Sequence, residues 1–210
     1  MTDVFNIGDV LRAVASAMHY PVIILLILFL LAALALLGWL LAEYCTERRH
    51  MSVALPALLE AMQHTDDLNA CIEDSGLLRR QKDALKELAA HPDFSAELRE
   101  ALAVRLLDAE QERYDRIVRL SELVSRLAPM FGLLGTLIPL GPGIIALGQG
   151  DTFTLSSSLL TAFDTTVAGL LAASVTTVVS TLRRSWYKEY MSVLEVLSQC
   201  VLDQAKEAAT

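Results

Sequence analysis

The sequence predicts an all-α integral membrane protein with three transmembrane helices, two of which extend into a cytoplasmic helical bundle. Three observations favour this fold class. The 210 residues are 54% hydrophobic and only 6% aromatic, with a mean hydropathy of +0.45. The apolar residues are gathered in long runs rather than in amphipathic stripes, which is typical of membrane proteins. The net charge of −8 gives no reason to expect nucleic-acid binding.

The first span is predicted at residues 20–42, after an external N-terminal arm at 1–19. Pro21–Ala42 is almost wholly aliphatic, and about 20 apolar residues are needed to cross roughly 30 Å of hydrocarbon. A cleavable signal peptide would be shorter and would follow a positive flank, whereas Asp3 and Asp9 precede this run. The segment is therefore expected to be a retained anchor.

Residues 43–126 are expected to form a cytoplasmic helical region. Charges of both signs occur there, and from Leu98 to Leu127 the apolar residues recur at spacings typical of a helix. Gly76 and Pro92 are the predicted breaks before this pattern. Because no turn signal separates the pattern from the second span, one long helix is expected to run through both. The region packs either on itself or on identical neighbours, and the sequence favours neither.

A transmembrane hairpin is predicted at residues 127–182. Its two helices, at about 127–148 and 155–182, are joined by a short outer loop near 149–153. Apolar residues continue at helix spacing beyond the third span, so the third helix is expected to extend into a cytoplasmic C-terminal helix at 183–210.

Basic residues predict the orientation of the spans. They follow the first span, precede the second and follow the third: Arg48, Arg49, Arg113, Arg116, Arg119, Arg126, Arg183, Arg184 and Lys188. The loop at 149–153 contains none. Since positive charge is retained inside, the N-terminus is expected outside and the C-terminus in the cytoplasm, with the chain in the inner membrane.

No enzyme signature occurs in the sequence. Walker A, His-Glu-x-x-His and Gly-x-Ser-x-Gly motifs are absent, and the glycines of GPGIIALGQG follow a membrane helix rather than a strand. The spacing of the three cysteines matches no metal site; they are Cys45, Cys71 and Cys200. We therefore expect no catalysis, no metal site and no cofactor.

The second span is rich in residues that weaken helices, in the stretch FGLLGTLIPLGPG. Small residues let helices approach closely in lipid, so Gly132, Gly135 and, on the third span, Gly169 are predicted to pack helices. Pro129 frees a carbonyl that needs a partner and is assigned to the same packing surface. The polar side chains at membrane depth include Thr136, Thr161, Asp164 and Thr166. The hairpin is therefore expected to face protein or a cavity, and the first helix to face lipid.

Two motifs in the hairpin resemble those of a known family. Leu127-Ala-Pro-Met-Phe-Gly-Leu-Leu-Gly-Thr136 is similar to the second-helix signature of the MotA/TolQ/ExbB proton-channel subunits, and Ala162-Phe-Asp-Thr-Thr-Val-Ala-Gly-Leu-Leu171 to their third-helix motif. The three-span plan resembles the ExbB/TolQ branch. The resemblance implies a pentamer around the membrane helices of a two-copy, single-span partner similar to ExbD, TolR or MotB. An aspartate of that partner takes up and releases the ion.

By motif position, the resemblance implies that Thr136 and Thr166 face the partner's aspartate. The family often has a glutamate five residues before the second threonine, where this chain has Thr161. Asp164, about 60° round the helix from Thr161, is the candidate replacement. A carboxylate inside a span costs about 2.5–3.5 kcal/mol, so Asp164 is expected to serve either the ion path or the docking of a partner, or else a structural hydrogen bond.

The function expected from the sequence is that of a stator-like subunit of a proton- or sodium-driven membrane motor. The alternative, from another class, is a non-conducting scaffold that assembles or couples other membrane proteins.

Overall fold

The structure, a computed structural model, describes residues 7–45, 55–63, 65, 68–91 and 94–207. Its helices in chain order are α1 Ile7–Ala17, α2 His19–Glu43, α3 Leu55–Gln63, α4 Leu68–Asp74, α5 Arg79–Ala89, α6 Ala96–Gly148 and α7 Thr152–Glu207. Within these ranges there is no strand. The all-α prediction is therefore confirmed.

Three helices, α2, α6 and α7, are long and apolar enough to cross a membrane, which confirms the predicted number of spans. Helix α6 has 53 residues and α7 has 56. At a rise of about 1.5 Å per residue each is about 80 Å long, well beyond the roughly 30 Å of the hydrocarbon core. Each long helix is therefore longer than a membrane crossing requires.

Of the predicted helix breaks, Gly76 falls between α4 and α5. Pro92 lies outside the described residues, as do residues 1–6 of the N-terminal arm and the basic pair Arg48 and Arg49.

The chain divides into two compact units. The first contains residues 1–39 and 119–181, and the second contains residues 40–118 and 182–210. The boundary cuts α6 and α7, so both long helices contribute to both units.

The first unit is built by the packing of α2 against α6 and α7. Buried residues of α2 follow one stripe at spacings of three and four: Val22, Leu26, Phe29, Ala33 and Leu36. Phe29 meets Phe131 edge to face, with 5.6 Å between ring centroids, and Ala128 and Ala172 pack in the same cluster. The opposite face of α2 is exposed. The expectation that the first helix faces lipid therefore applies to one face only.

The second unit is a bundle in which α3, α4 and α5 pack against the two long helices. Its core consists of Met62, Ile72, Leu77, Leu85, Leu88, Ala103, Leu194, Leu197, Val201 and Leu202. The buried Gln81 donates from its amide nitrogen to the carbonyl of Tyr190 at 3.0 Å and accepts from the N–H of Leu78 at 3.1 Å. Within one chain this region therefore packs on itself, and its packing on identical neighbours stays a prediction.

A buried ion pair joins the end of α2 to α7 in the second unit. The Arg183 side chain is 0% exposed, and its Nε donates to Oε2 of Glu43 at 3.2 Å. The hydroxyl of Tyr187 donates to the other carboxylate oxygen at 3.0 Å, and its ring stacks on Tyr114. Charged side chains are rarely fully buried unless they are paired, so the Glu43 carboxylate supports the burial of Arg183.

Candidate functional site

Helices α6 and α7 approach each other closely at three glycines. A Cβ atom on Gly169 would lie 2.7 Å from the carbonyl oxygen of Ala128 and 2.9 Å from Cα of Gly132. A Cβ atom on Gly135 would lie 2.6 Å from Cβ of Thr165. Such separations are closer than van der Waals contact, so the approach requires glycine, in keeping with the role of small residues between helices in lipid. All three glycines pack α6 on α7 within one chain.

The Gly169→Ala substitution is expected to destabilise the protein by about 1–3 kcal/mol, the usual cost of overpacking, because the added methyl group would overlap backbone atoms of α6. Gly38→Ala in α2 is the matched control. Nothing lies within 4 Å of a Cβ atom at Gly38, and alanine there favours the helix by about 0.8–1 kcal/mol. Thermal unfolding in one mild detergent compares the two variants. Equal stability would contradict the close approach of the two helices.

Sequence reasoning misses Thr165, the α7 residue that faces Gly135. Its side chain is buried, and its hydroxyl donates to the carbonyl of Ala162 at 2.9 Å and to that of Thr161 at 3.1 Å. Bonding to a carbonyl of the preceding turn satisfies a threonine hydroxyl inside a helix. The signal that could have found it is a stripe of small residues at spacings of three and four: Ala162, Thr165, Gly169, Ala172 and Thr176.

Thr136 and Thr166 lie on the same side of the α6–α7 pair. Each directly follows the residue that faces the other helix, which is Gly135 on α6 and Thr165 on α7. One residue turns a helix by about 100°, and because the helices are antiparallel this turn brings both side chains to the same side. Both are half-buried. Their hydroxyls donate to carbonyls of their own helices, at 2.7 Å and 3.1 Å, so lone pairs remain for another donor.

Asp164 lies on the opposite side of the pair from the two threonines. It precedes Thr165, so its side chain is turned by about 100° in the other direction, and it is exposed. Thr161 lines a groove near the start of α2. Pro129, seven residues before Thr136, shares the side of the threonines. Of the predicted ion-path residues, the structure therefore brings together Thr136 and Thr166 and leaves Asp164 and Thr161 away from them.

Helix α2 packs on the side of Asp164. Phe131 contacts Phe29 of α2, and it directly precedes Gly132, which faces α7. In the same way, Asp164 directly precedes Thr165, which faces α6. The same rotation of about 100° therefore places Phe131 and Asp164 on one side. Thr136 and Thr166 point away from α2.

The hairpin that carries these side chains lies inside the part of the chain that matches known proteins. The family described as the MotA/TolQ/ExbB proton channel family matches residues 74–196, which is more than half of the chain. The chain belongs to the MotA/TolQ/ExbB proton channel family. The resemblance predicted from the two motifs is therefore confirmed, and the three apolar helices are those of a membrane protein of this family.

Among curated members, this MotA/TolQ/ExbB chain is similar to the biopolymer transport protein exbB1 of Vibrio cholerae serotype O1. The two are 34% identical over 116 residues, which are 51% of this chain and 49% of the relative. The chain thus spans about half the length of the curated relative it matches. This similarity favours the ExbB-like branch predicted from the three-span plan.

Proposed function

We propose that the protein is a stator-like subunit of an ion-driven motor in the inner membrane. In this proposal five copies form a ring in which the side that carries Thr136 and Thr166 lines a central pore. The pore encloses the membrane helices of a single-span partner of the ExbD, TolR or MotB kind, whose aspartate takes up and releases a proton or Na⁺. Ion flow through the pore moves the partner against the ring.

The common side of Thr136 and Thr166 is the observation that carries this proposal. A threonine hydroxyl accepts a hydrogen bond from a protonated carboxyl group and, after rotation, donates one to a carboxylate. Two such hydroxyls at one face of the hairpin support both states of a partner's aspartate, as a cycle of ion uptake and release requires. That face points away from α2, so it is available to a partner inside a ring.

The exposed surfaces of the two hairpin helices support assembly into a ring. Large apolar side chains are more than half exposed on both, namely Met130, Leu133 and Leu137 on α6 and Phe163, Val167 and Leu170 on α7. In the proposed ring within the membrane, neighbouring subunits and lipid would cover these side chains.

The proposed orientation follows the basic residues that flank the spans. The N-terminal arm and the loop at 149–153 lie outside, and residues 43–126 and 183–210 lie in the cytoplasm. Arg183, Arg184 and Lys188 then follow the third span on the inner side, in agreement with the positive-inside rule.

Reconstituted liposomes test the function. The chain purified together with its single-span partner is expected to carry protons or Na⁺ down an imposed gradient, measured with ion-sensitive dyes inside the vesicles. The same partner with its membrane aspartate changed to asparagine is the control and should abolish the flux. An intact complex that passes neither ion would contradict the proposal and favour the non-conducting scaffold.

A further inference from the structure

A groove of about 1120 Å³ opens in the first unit at the end where α6 and α7 are joined. Its walls are the end of α1 and the start of α2, the last turns of α6 and the first turns of α7. The α6 wall is apolar and includes Leu134, Leu137 and Ile138, whereas the α7 wall carries hydroxyl groups, at Thr154, Ser157 and Thr161. The two walls therefore differ in chemistry.

The hydroxyls of the α7 wall present oxygen acceptors to the groove. Ser157 donates to the carbonyl of Thr154 at 3.0 Å, and Thr161 donates to the carbonyl of Ser157 at 3.1 Å. A hydroxyl has one hydrogen and two lone pairs, so these groups have used their hydrogen within the helix. The oxygen lone pairs that remain can bind water and cations but not anions.

Asp151 adds a negative charge at the mouth of the groove. Its carboxylate accepts from the backbone N–H of Thr154 at 3.0 Å and from the hydroxyl of the same residue. The hydroxyl bond, and then the N–H bond, hold the pKa of Asp151 below its usual value, so the group is ionised at neutral pH. Among the described residues that line the groove, His19 carries the one basic side chain.

The groove reaches deep into the predicted membrane region. Thr161 lies six residues after the predicted start of the third span at residue 155, about 9 Å along the helix. On the α6 wall, Leu134 lies 14 residues before the end of α6 at Gly148, about 21 Å, which is more than half of the roughly 30 Å hydrocarbon core. One turn beyond Thr161, the contact of Thr165 with Gly135 separates the groove from the side that carries Thr136 and Thr166.

We infer that this groove is a water-filled vestibule through which hydrated monovalent cations reach the middle of the membrane, with Asp151 at its mouth, Ser157 and Thr161 along its wall, and Thr165 at its closed end. The inference rests on the proposed function for the direction of flow, because the vestibule ends one helix face away from the proposed pore. The competing occupant is a lipid chain held by the apolar α6 wall.

Thiol accessibility tests the vestibule without any need for ion flux. In a background with Cys45, Cys71 and Cys200 changed to serine, single cysteines are placed at Ser157 and Thr161. Each is treated in right-side-out and in inverted membrane vesicles with trimethylammonium-ethyl methanethiosulfonate and with its anionic sulfonatoethyl analogue. Phe153→Cys, 83% exposed at the start of α7, is the reference for the side of the membrane and for the intrinsic ratio of the two reagents. Leu160→Cys, 63% exposed and outside the groove, is the control at matched depth.

Ser157→Cys and Thr161→Cys are expected to react from the side that labels Phe153→Cys, and Leu160→Cys to resist. Relative to Phe153→Cys, the cationic reagent should be favoured by about tenfold, as a cleft of one charge sign favours its counter-ions. Adding Asp151→Asn should remove most of that preference. Unreactive groove cysteines would show that the groove is closed to water, and equal labelling at Leu160 would show general hydration; either overturns the inference.

A second measurement separates this inference from the proposed function. Modification of Ser157→Cys by the cationic reagent should block ion flux in liposomes that contain the chain and its partner. If the groove is accessible but its modification leaves the flux unchanged, the groove is not part of the ion path, and the proposed pore is unaffected. Labelling that succeeds in a complex that never conducts would instead leave the groove aqueous and remove the motor function.

Discussion

Replacing Glu43 by alanine is expected to lower the free energy of unfolding by about 3–5 kcal/mol, the cost typical of removing one partner from a buried ion pair. The Arg183 side chain is 0% exposed and that of Glu43 only 10%. The guanidinium would therefore lose this carboxylate without gaining water in its place. Tyr187 would lose its hydrogen-bond acceptor at the same time, so the end of α2 should loosen from α7.

Glu112→Ala is the matched control for this loss. Glu112 pairs with Arg116 at 3.4 Å, but the two side chains are 65% and 75% exposed, so its removal should cost less than about 0.5 kcal/mol. Glu43→Gln, which keeps an acceptor but no charge, should lie between the two. Denaturation in mild detergent of variants that carry Trp39→Phe, followed by the fluorescence of Trp186 beside Tyr44, ranks their stabilities. If Glu43→Ala proves no less stable than Glu112→Ala, the buried pair contributes no more than a surface pair.

Thr136→Val and Thr166→Val are each expected to lower ion flux about ten- to hundredfold while the ring and its partner still assemble. Valine keeps the shape of threonine and deletes the hydroxyl. A hydrogen bond to a charged group contributes about 1.5–3 kcal/mol, and about 1.4 kcal/mol corresponds to a factor of ten. Ser174→Ala is the control, since this exposed α7 hydroxyl bonds to the carbonyl of Leu170 and points away from α6. Its flux should match that of the parent.

Asp164→Asn is expected to reduce flux less than either valine variant, because Asp164 lies on the other side of the hairpin from the threonines. Asparagine keeps the size and the hydrogen bonding and removes the titratable charge. Flux lost from an intact complex would place Asp164 in the ion path, and a ring that falls apart would make it a structural contact. If these three variants all conduct like the parent, the channel hypothesis for these residues is wrong and the scaffold gains support.

The features predicted from the sequence are those that local patterns determine. The length of an apolar run decides whether a helix crosses the bilayer, so the three spans follow from composition alone. Glycines in membrane helices indicate close helix packing, so Gly132, Gly135 and Gly169 could be assigned from the sequence. The structure shows which atoms of the chain they contact. Two short motifs were sufficient to indicate the family.

The features that sequence reasoning missed depend on which face of a helix meets which neighbour. Helix α2 is apolar on every face, so no polar residue distinguishes the stripe of Phe29 and Ala33 that packs from the faces that do not. Thr165 and Thr166 are adjacent and chemically identical, and only the position of α6 separates a packed threonine from one that points to the proposed pore. Asp164 and Thr166 are two residues apart, yet they lie on opposite sides of the hairpin.

Arg183 has two roles, one during membrane insertion and one in the folded protein. In the proposed orientation its charge is one of the signals that retain the end of the third span in the cytoplasm while the chain is being inserted. Once the chain has folded, that charge no longer faces solvent, because Glu43, 140 residues earlier, accepts its hydrogen bond in the interior. The same charge that directs the topology of the span during insertion thus forms a buried ion pair in the folded protein. In the proposed orientation, a replacement for Arg183 would have to carry positive charge during insertion and also fit beside the Glu43 carboxylate in the folded protein.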